Sequence, residues 1–585
     1  MQTKWNLKLL YTSTKDPQIK KDKEQSIKNV SSFVKKWKNN KEYLQDPTVL
    51  RDALHEYEKL NATTGLCNKP IYYFLLLNNL DQTNTKIKGE LNKLNDISTK
   101  LGNEIQFFEL NISKVDKKQQ EIFLKAKELE PYKHFLESLF RGSEYLLTDK
   151  EEKIFNLTSK TSHSNWVDMI SELTDKQKLN IKDENEKEIE ITYNDIQKYL
   201  NSKNKKVRDI AANEFNKING RYAEIAEFEI NSVLENKKIS DEYRGIPRPD
   251  LTRHIADDID SEVIDILTKI VTENFHISRE YYKKKAKLLK QKTLGYHERN
   301  VPLGEIDSKY IFKDSIKLVE DTFTNIDKEF GEIVKTFSKN GQYDAFAKQA
   351  KSSGGFCITI SKNLPTYILL NFNEKLNDVL TIAHESGHAI HSEFSKKQNS
   401  LNSGYPTSLA EVASTFFEDF VLEKILKTAN DDLKFAILAE KINSDVSSIF
   451  RQVAFYNFEK ELHSEFRKQG YLSKEYISDL FCKHMKAYLG EHVDEDEGMR
   501  NGWIYIGHFR KFFYVYSYAS GLLISKALQS MVKEDIENIK FVKEFLSSGS
   551  SKSPYEIFNG MGIDITRKEI WKKGLNTIKL DIDKI

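Results

Sequence analysis

The chain has 585 residues, of which 39% are hydrophobic and 30% are charged, and its formal net charge is +2. This length exceeds one ordinary domain, and the composition allows large apolar cores in a soluble protein. The nearly balanced charge argues against nucleic-acid binding, because the lysine runs at 20–23 and 203–206 are offset by acids and are typical of solvated helix faces.

The cysteines and the N-terminus point to a cellular compartment. The three cysteines, Cys67, Cys357 and Cys482, are far apart and odd in number. They indicate neither a disulfide framework nor a thiolate zinc site, which fits a reducing cytoplasm. The first residues lack the apolar core of a signal peptide, and no apolar run reaches the roughly 18 residues of a membrane span. We therefore expect a cytoplasmic protein outside the membrane.

Most of the chain has the apolar spacing of helices, and only ten prolines interrupt it. The predicted fold class is mainly α. The helical pattern occupies positions 17–40, 83–130, 207–237, 259–290, 313–339, 431–467 and 529–548. The polar segment at 182–186, followed by alternating residues at 189–193, is the clearest boundary. We divide the chain near residue 200 into an N-terminal helical region, 1–200, and a second region, 201–585.

Residues 366–372 predict a short strand, because they are aromatic and branched and lie between Pro365 and Asn373. Upstream, Gly354 and Gly355 follow two serines. On this sequence alone, a flexible turn explains the glycine pair as well as a functional role does.

An H-E-x-x-H motif follows, at His384-Glu385-Ser386-Gly387-His388. Residues four apart in a helix share a face, so both imidazoles can bind one zinc ion while Glu385 acts as general base. Apolar spacing predicts a helix from about residue 378 to about residue 396, capped by Asn377 or Asp378. Gly387 costs about 1 kcal/mol relative to alanine in a helix, so we expect a close approach of backbone or substrate there. The motif predicts hydrolysis by a metal-activated water.

A catalytic zinc usually needs a third protein ligand. His391 shares the helix face, but it lies about 10 Å along the axis from His384 and reads better as a neighbour of the ligands. Glu411, near the start of a second predicted helix that opens at Ser408, is our choice. The alternative for Glu411 is a capping box with Ser408. Glu418, seven residues on, would then hydrogen-bond a ligand imidazole, or else be a solvated helix acid.

Far downstream, an aromatic segment runs from His508 to Gly521. Amide hydrolysis needs donors aimed at the developing oxyanion, and His and Tyr are suitable donors. An aromatic stripe is more often core than catalytic, so this segment gains weight only beside the zinc motif.

Three ordered motifs resemble those of a known peptidase family. They are the runs 384–391, 405–415 and 508–521. Together they look like oligoendopeptidase F, a group within the thimet oligopeptidase family of zinc peptidases. Weaker likeness extends to 204–211 and to Tyr243-Arg244-Gly245. Ser386 departs from the commoner pattern, in which an apolar residue is frequent, and this concerns local packing rather than the chemistry.

The resemblance implies a fold and a metal centre. The fold would be a large multi-helical peptidase of the zincin type, with a deep substrate channel and a small β-sheet near the active site. One zinc ion per chain would be bound by His384, His388 and Glu411, with Glu385 as the catalytic carboxylate.

The resemblance also implies contacts with the substrate. His508 and a following tyrosine would contact the substrate carbonyl, and Tyr516 is our first choice among the tyrosines. The remaining residues implied to bind substrate are Gly354, Gly355, Tyr514 and Tyr518. The strand at 366–372 would offer an exposed edge to an extended peptide, which would give broad sequence tolerance.

The function predicted from these motifs is zinc-dependent hydrolysis of internal peptide bonds in oligopeptides. One alternative is a zinc exopeptidase of the carboxypeptidase type, and no Gly-x-Met-Glu-Asn aminopeptidase signature occurs. The other is a helical peptide-binding protein with a structural zinc site, which would have no need of a base such as Glu385. The expected partners are short peptides, and the sequence carries no mark of the oligomeric state or the cleavage-site preference.

Overall fold

Helices make up most of the protein, which confirms the predicted fold class. The computed structural model describes residues 1–62, 65–306 and 309–585. The first half of the described chain contains α1 (Pro17–Trp37), α2 (Pro47–Asn61), α3 (Asn68–Leu80), α4 (Thr85–Ile105), α5 (Phe107–Ser113), α6 (Lys117–Lys125), α7 (Lys133–Ser143), α8 (Asp149–Ser159), α9 (Asn165–Asp175), α10 (Ile196–Leu200), α11 (Lys205–Arg244), α12 (Leu251–Ala256), α13 (Ser261–Glu273) and α14 (Phe275–Leu288).

The second half continues the helical pattern. Its helices are α15 (Phe312–Ile326), α16 (Lys328–Asn340), α17 (Leu376–Ser395), α18 (Thr407–Thr428), α19 (Asp431–Val446), α20 (Gln452–Gln469), α21 (Lys474–Leu489), α22 (Glu497–Arg500), α23 (Gly502–Tyr505), α24 (Tyr516–Glu534), α25 (Ile539–Ser548), α26 (Pro554–Gly560) and α27 (Lys568–Asp583).

Several predicted helical stretches are broken by caps that the apolar spacing did not show. The stretch 313–339 is two helices, α15 and α16, because Asp327 leaves the helical conformation and its carboxylate accepts from the Glu329 N–H at 2.8 Å. No helix in the described part of the chain combines the length and the hydropathy needed to cross a bilayer.

The chain divides into two compact units, and each is discontinuous in sequence. The first comprises Met1–Glu144, Asp307–Thr428 and Leu528–Ile563, and the second comprises Tyr145–Ile306, Ala429–Ala527 and Asp564–Ile585. The predicted boundary near residue 200 divides the chain at one position, whereas each compact unit is built from three separate segments. The two divisions are not comparable, and the predicted boundary stays a prediction.

The first unit contains a three-stranded sheet. Its strands are β3 (Tyr343–Phe346), β4 (Phe356–Ile358) and β5 (Tyr367–Phe372), and the order across the sheet is β3-β5-β4. β5 confirms the strand predicted at 366–372. It lies in the middle of the sheet, parallel to β3 and antiparallel to β4, so both edges of β5 are paired and the outer edges of the sheet belong to β3 and β4.

The second unit contains a hairpin and the longest helix. The hairpin pairs β1 (Lys178–Lys182) with β2 (Glu188–Thr192), where the sequence alternates apolar and polar residues. Helix α11 has 40 residues and ends at Gly245, whose φ of 68° is the left-handed conformation of a helix C-cap.

Helices α17 and α18 pack closely in the first unit because position 387 is glycine. A β-carbon at Gly387 would lie 2.9 Å from Cα of Ser414 and 3.1 Å from the carbonyl oxygen of Ala413. Only a residue without a side chain allows the two backbones to approach this closely, which explains the glycine within the motif. The predicted helix is present at Leu376–Ser395, and the Asp378 carboxylate accepts from the backbone N–H of Asn373 and Lys375.

We expect Gly387→Ala to destabilise the first unit, because the new methyl group must separate α17 from α18. Overpacking of this kind costs about 1–3 kcal/mol. Gly89→Ala in α4 is the matched control, since nothing lies within 4 Å of a β-carbon there. It should raise stability by about 0.5–1 kcal/mol. Thermal unfolding of both variants measures the difference, and equal midpoints would contradict the close-approach explanation.

Candidate metal centre and its surroundings

Two histidines of α17 and one glutamate of α18 converge on one point. His384 Nε2 lies 3.5 Å from Glu411 Oε2, and His388 Nε2 lies 4.0 Å from the same oxygen. Candidate ligand atoms of the three residues all lie within 4.8 Å of one another. Two imidazoles and a carboxylate are ligands that zinc takes in catalytic sites, at about 2.0–2.2 Å. The side chains of His384, His388 and Glu411 are 26%, 17% and 32% exposed, so each of the three is partly accessible to solvent.

The structure favours Glu411 as the third candidate ligand over His391, and it does not form the capping box with Ser408 that was the alternative role for Glu411. Ser408 Oγ is buried without a hydrogen-bond partner, so the capping box is not formed, and Glu411 Oε2 accepts from Ser414 Oγ at 3.1 Å. His391 is buried away from the cluster. Its ring stacks on Tyr405 with centroids 3.7 Å apart and an interplanar angle of 6°.

Glu418 supports one of the candidate ligands, as its spacing from Glu411 predicts. Its Oε2 lies 2.8 Å from His384 Nδ1. In the neutral form of His384, an Nδ1–H that donates to this carboxylate leaves Nε2 unprotonated and able to bind a metal ion. Burial lowers the pKa of His384, but the hydrogen bond and charge of Glu418 outweigh it and raise that pKa to about 9.

The carboxyl of Glu385 lies in a protected position beside these ligands. The residue is only 7% exposed, and burial raises the pKa of Glu385 to about 7, with His384 opposing the shift. A bound divalent cation would lower this pKa, because it favours the carboxylate form. By contrast, burial and the charge of His384 lower the pKa of His388 to about 4, so the imidazole of His388 is neutral at pH 7.

Gly355 and the start of β4 adjoin Glu385. A β-carbon at Gly355 would lie 2.7 Å from Thr381 Cγ2 and 3.6 Å from Glu385 Oε1. Gly354 is exposed, has a φ of 76°, and its carbonyl accepts from Asn371 Nδ2 at 2.7 Å. The predicted glycine pair therefore lies next to the predicted base. The open strand edge expected at 366–372 is instead provided by β4.

Two contacts of this centre had no local signal in the sequence. Ser386 Oγ and Tyr343 OH are 2.8 Å apart, so the serine that departs from the family pattern is paired with a buried tyrosine of β3. Asn371 Nδ2 also donates to the Ser352 carbonyl at 2.8 Å and thereby holds the segment before β4. The partners are 43 and 19 residues apart, too far for any helical or strand periodicity to connect them.

The aromatic segment of the second unit contains a histidine–tyrosine pair. His508 Nδ1 lies 2.5 Å from Tyr514 OH, and the rings of Tyr514 and Tyr518 are 5.4 Å and 6.1 Å from the His508 ring. Burial, with Arg451 and Lys511, lowers the pKa of His508 to about 4, so the imidazole is neutral at pH 7.

Tyr516, the tyrosine preferred from the sequence, is engaged elsewhere. It is fully buried at the start of α24, and its hydroxyl donates to Asp257 Oδ2 at 2.6 Å. A phenol committed to a buried carboxylate is a poor candidate for a substrate donor, because its hydroxyl hydrogen is already used and breaking that hydrogen bond is costly. The geometry therefore favours Tyr514 and Tyr518 over Tyr516 as the companions of His508.

Comparison with known proteins adds a family context. The model of "Peptidase family M3" matches residues 316–577, and that of "Oligopeptidase F" matches residues 111–175. An oligoendopeptidase F homolog from Borreliella burgdorferi is 28% identical and covers 100% of this chain and 97% of its own length. Oligopeptidase PepF from Bacillus subtilis is 24% identical, and the alignment covers 93% of this chain and 80% of PepF.

Solved structures share the fold. A putative peptidase from Chlamydophila abortus superposes with a TM-score of 0.86 at 24% identity, and covers 100% of this chain and 97% of its own. Oligoendopeptidase-F from Enterococcus faecium superposes with a TM-score of 0.67 at 20% identity, and the superposition covers 97% of this chain and 98% of the other chain.

Zinc titration separates the ligand assignments. We expect Glu411→Ala to lose zinc affinity severely, because only two ligands remain, and Glu418→Gln to lose about 10–100-fold, as for partners of ligand histidines. His391→Ala should keep the metal, since its ring packs against Tyr405 rather than facing the cluster. Competition with a chromophoric chelator measures all three. A zinc-free His391 variant beside a zinc-loaded Glu411 variant would reverse the assignment.

Proposed function

We propose that this chain, which matches the models of "Peptidase family M3" and "Oligopeptidase F" and is similar to oligoendopeptidase F homologues, is a member of that family and binds one zinc ion between His384, His388 and Glu411. The chain is a metalloendopeptidase that acts on oligopeptides. The observation that carries the zinc proposal is the convergence of two imidazoles and one carboxylate, with ligand atoms within 4.8 Å, beside the buried carboxyl of Glu385.

Glu385 is proposed as the group that moves the proton. When bound, zinc polarises the scissile carbonyl and lowers the pKa of a water molecule toward neutrality. Glu385 accepts the proton that this water loses as its oxygen bonds to the carbonyl carbon. It returns the proton to the leaving amine as the carbon–nitrogen bond breaks. Gly355 adjoins this carboxyl, since a β-carbon there would lie 3.6 Å from Glu385 Oε1, in ordinary van der Waals contact.

The substrate main chain is proposed to bind along β4. In the described part of the chain, no strand pairs with the second edge of β4, which follows directly after Gly355. An extended peptide can add to such an edge through backbone hydrogen bonds, which depend little on its side chains. Gly354 and Gly355 would lie beside the peptide and allow close approach. This mode accounts for action on varied short peptides.

His508 is proposed to donate a hydrogen bond to the substrate carbonyl. Its neutral imidazole has one N–H, and its contact with Tyr514 leaves one donor free in either tautomer. When Tyr514 donates to Nδ1, the Nε2–H of His508 remains available. When Nδ1–H donates to Tyr514, the Tyr514 hydroxyl can donate to Tyr518, and the hydroxyl hydrogen of Tyr518 then remains available. Tyr518, whose ring also lies near His508, is the second tyrosine proposed to face the substrate. Tyr516 instead fixes the start of α24 through its hydrogen bond to Asp257.

We also propose that the protein works in the cytoplasm. All three cysteines, Cys67, Cys357 and Cys482, are free thiols, and two of them are buried. Free thiols are typical of a reducing compartment. The substrates proposed are short peptides.

Digestion of a mixed library of short and long peptides tests the function. We expect internal cleavage that a chelator abolishes, and Glu385→Gln should lose nearly all turnover while keeping about one zinc per chain, because an amide cannot accept the proton. Glu393→Gln is a matched control on the same helix, since Glu393 bonds Thr366 and Lys396 instead. Mass spectrometry reads the cleavage sites. Activity of the Glu385 variant within a few-fold of the natural enzyme would refute the role of the base, and cleavage confined to one terminus would indicate an exopeptidase.

The donor assignment is tested in the aromatic segment. We expect His508→Ala to lower kcat by roughly 10²–10³ with zinc content unchanged, because the lost hydrogen bond is made in the transition state. Tyr514→Phe should resemble it. Tyr516→Phe should instead lower thermal stability, since Asp257 then loses one of its donors and keeps Arg253. Steady-state kinetics and thermal unfolding measure these effects. If the His508 variant kept its full kcat, the donor assignment would be wrong, and the aromatic segment would serve only to pack the core.

A further inference from the structure

The turn between His508 and Tyr514 has an unfavourable backbone. Phe512 and Phe513 have φ values of 52° and 57°. They form the one pair of adjacent non-glycine residues with positive φ in the part of the chain that the structure describes. For such residues the left-handed conformation costs about 1–2 kcal/mol each. Surrounding structure must therefore hold this turn in place.

A buried glutamate of α20 holds it. Glu459 Oε1 accepts a hydrogen bond from the Phe513 N–H at 2.9 Å. Glu459 is fully buried, and its neighbours on the same face of α20 pack on the same phenylalanine. The ring of Tyr456 lies 5.9 Å from that of Phe513, and the ring of His463 lies 4.7 Å from it.

Glu459 is suited to this task as a neutral acid. Its second oxygen, Oε2, is buried without a hydrogen-bond partner, and no cation pairs with the group in the described structure. Burial raises the pKa of Glu459 to about 8, with the Phe513 hydrogen bond opposing the shift. At neutral pH the side chain therefore presents a carbonyl oxygen to the Phe513 N–H and carries no buried charge.

The other end of the segment is held separately. Arg510 forms a buried, two-point ion pair with Glu229, in which Nε and Oε1 lie 2.8 Å apart. His508 precedes this anchor, and Tyr514 follows the one at Phe513. The hydrogen bond from the Phe513 N–H to Glu459 therefore fixes the backbone of the residue directly before Tyr514, and Tyr514 OH lies 2.5 Å from His508 Nδ1.

We propose that Glu459 is a positioning residue for the reaction: by binding the Phe513 N–H it maintains the left-handed turn that places the Tyr514 hydroxyl against His508. The inference rests on the proposed function, in which His508 donates to the substrate carbonyl. Glu459 itself touches neither substrate nor metal. Its effect is on the alignment of the donor pair, and a displacement of about 1 Å at such a pair can cost about 10²-fold in rate.

The test compares two replacements of Glu459. Glu459→Leu keeps the volume but removes the acceptor, and we expect kcat to fall about 10–100-fold, with KM changed little and zinc near one per chain. Glu459→Gln keeps a neutral carbonyl acceptor and should stay within about 3-fold of the natural enzyme. Glu461→Gln is the matched control on the same helix, because Glu461 bonds Lys483 and His484 instead. Rates are referred to zinc-loaded folded chains.

A double variant separates positioning from general stability. If Glu459 acts through the His508 pair, adding Glu459→Leu to His508→Ala should cost little more than His508→Ala alone. If Glu459→Leu yields no folded protein, Glu459→Leu with Phe512→Gly is measured in its place, since glycine tolerates the left-handed φ.

The outcomes distinguish the inference from the function on which it rests. Full kcat in His508→Ala would overturn the donor role. Loss in His508→Ala together with full kcat in Glu459→Leu would overturn the positioning role alone. The positioning role is also overturned if Glu459→Gln is as slow as Glu459→Leu, or if Glu459→Leu costs the same factor when His508 is already alanine.

Discussion

The close backbone contact between α17 and α18 is the constraint on which the candidate metal centre depends. Glu411 and Glu418 both project from α18, and each must reach a histidine of α17. A glutamate side chain is short compared with the usual distance between two helices. The faces of α17 and α18 that carry these residues must therefore lie close together. Gly387 allows that approach by presenting only its backbone to Ser414. The glycine of the motif therefore sets the geometry that the ligands use.

The same helix pair resolves an electrostatic problem. Several ionisable groups share a partly buried space around His384, and burial disfavours the charged form of each one. The response of the groups differs: Glu418 makes the cationic form of His384 favourable, whereas His388 remains neutral. A bound divalent cation would suit this set, because the charges of three acidic side chains, Glu385, Glu411 and Glu418, act on His384.

Much of the metal centre could be predicted from sequence, because helical periodicity relates its members. The spacings of His384 to His388 and of Glu411 to Glu418 follow from one helix each, and α17, α18 and β5 are present where the pattern indicated them. The remaining contacts join distant segments. Nothing near Ser386 indicates Tyr343, and nothing near Phe513 indicates Glu459. Tyr514, Tyr516 and Tyr518 look equivalent as a sequence, and only the position of Asp257 distinguishes the middle one.

The close packing of Gly355 against Thr381 also means that substitutions at these two positions depend on each other during evolution. A side chain at residue 355 would collide with Thr381 Cγ2 before it reached Glu385. A lineage could therefore accept alanine at position 355 only after residue 381 had become smaller, whereas the reverse order would pass through an impaired enzyme. Descendants of this sequence should keep the pair together or change residue 381 first, which makes the order of substitution as constrained as the residues themselves.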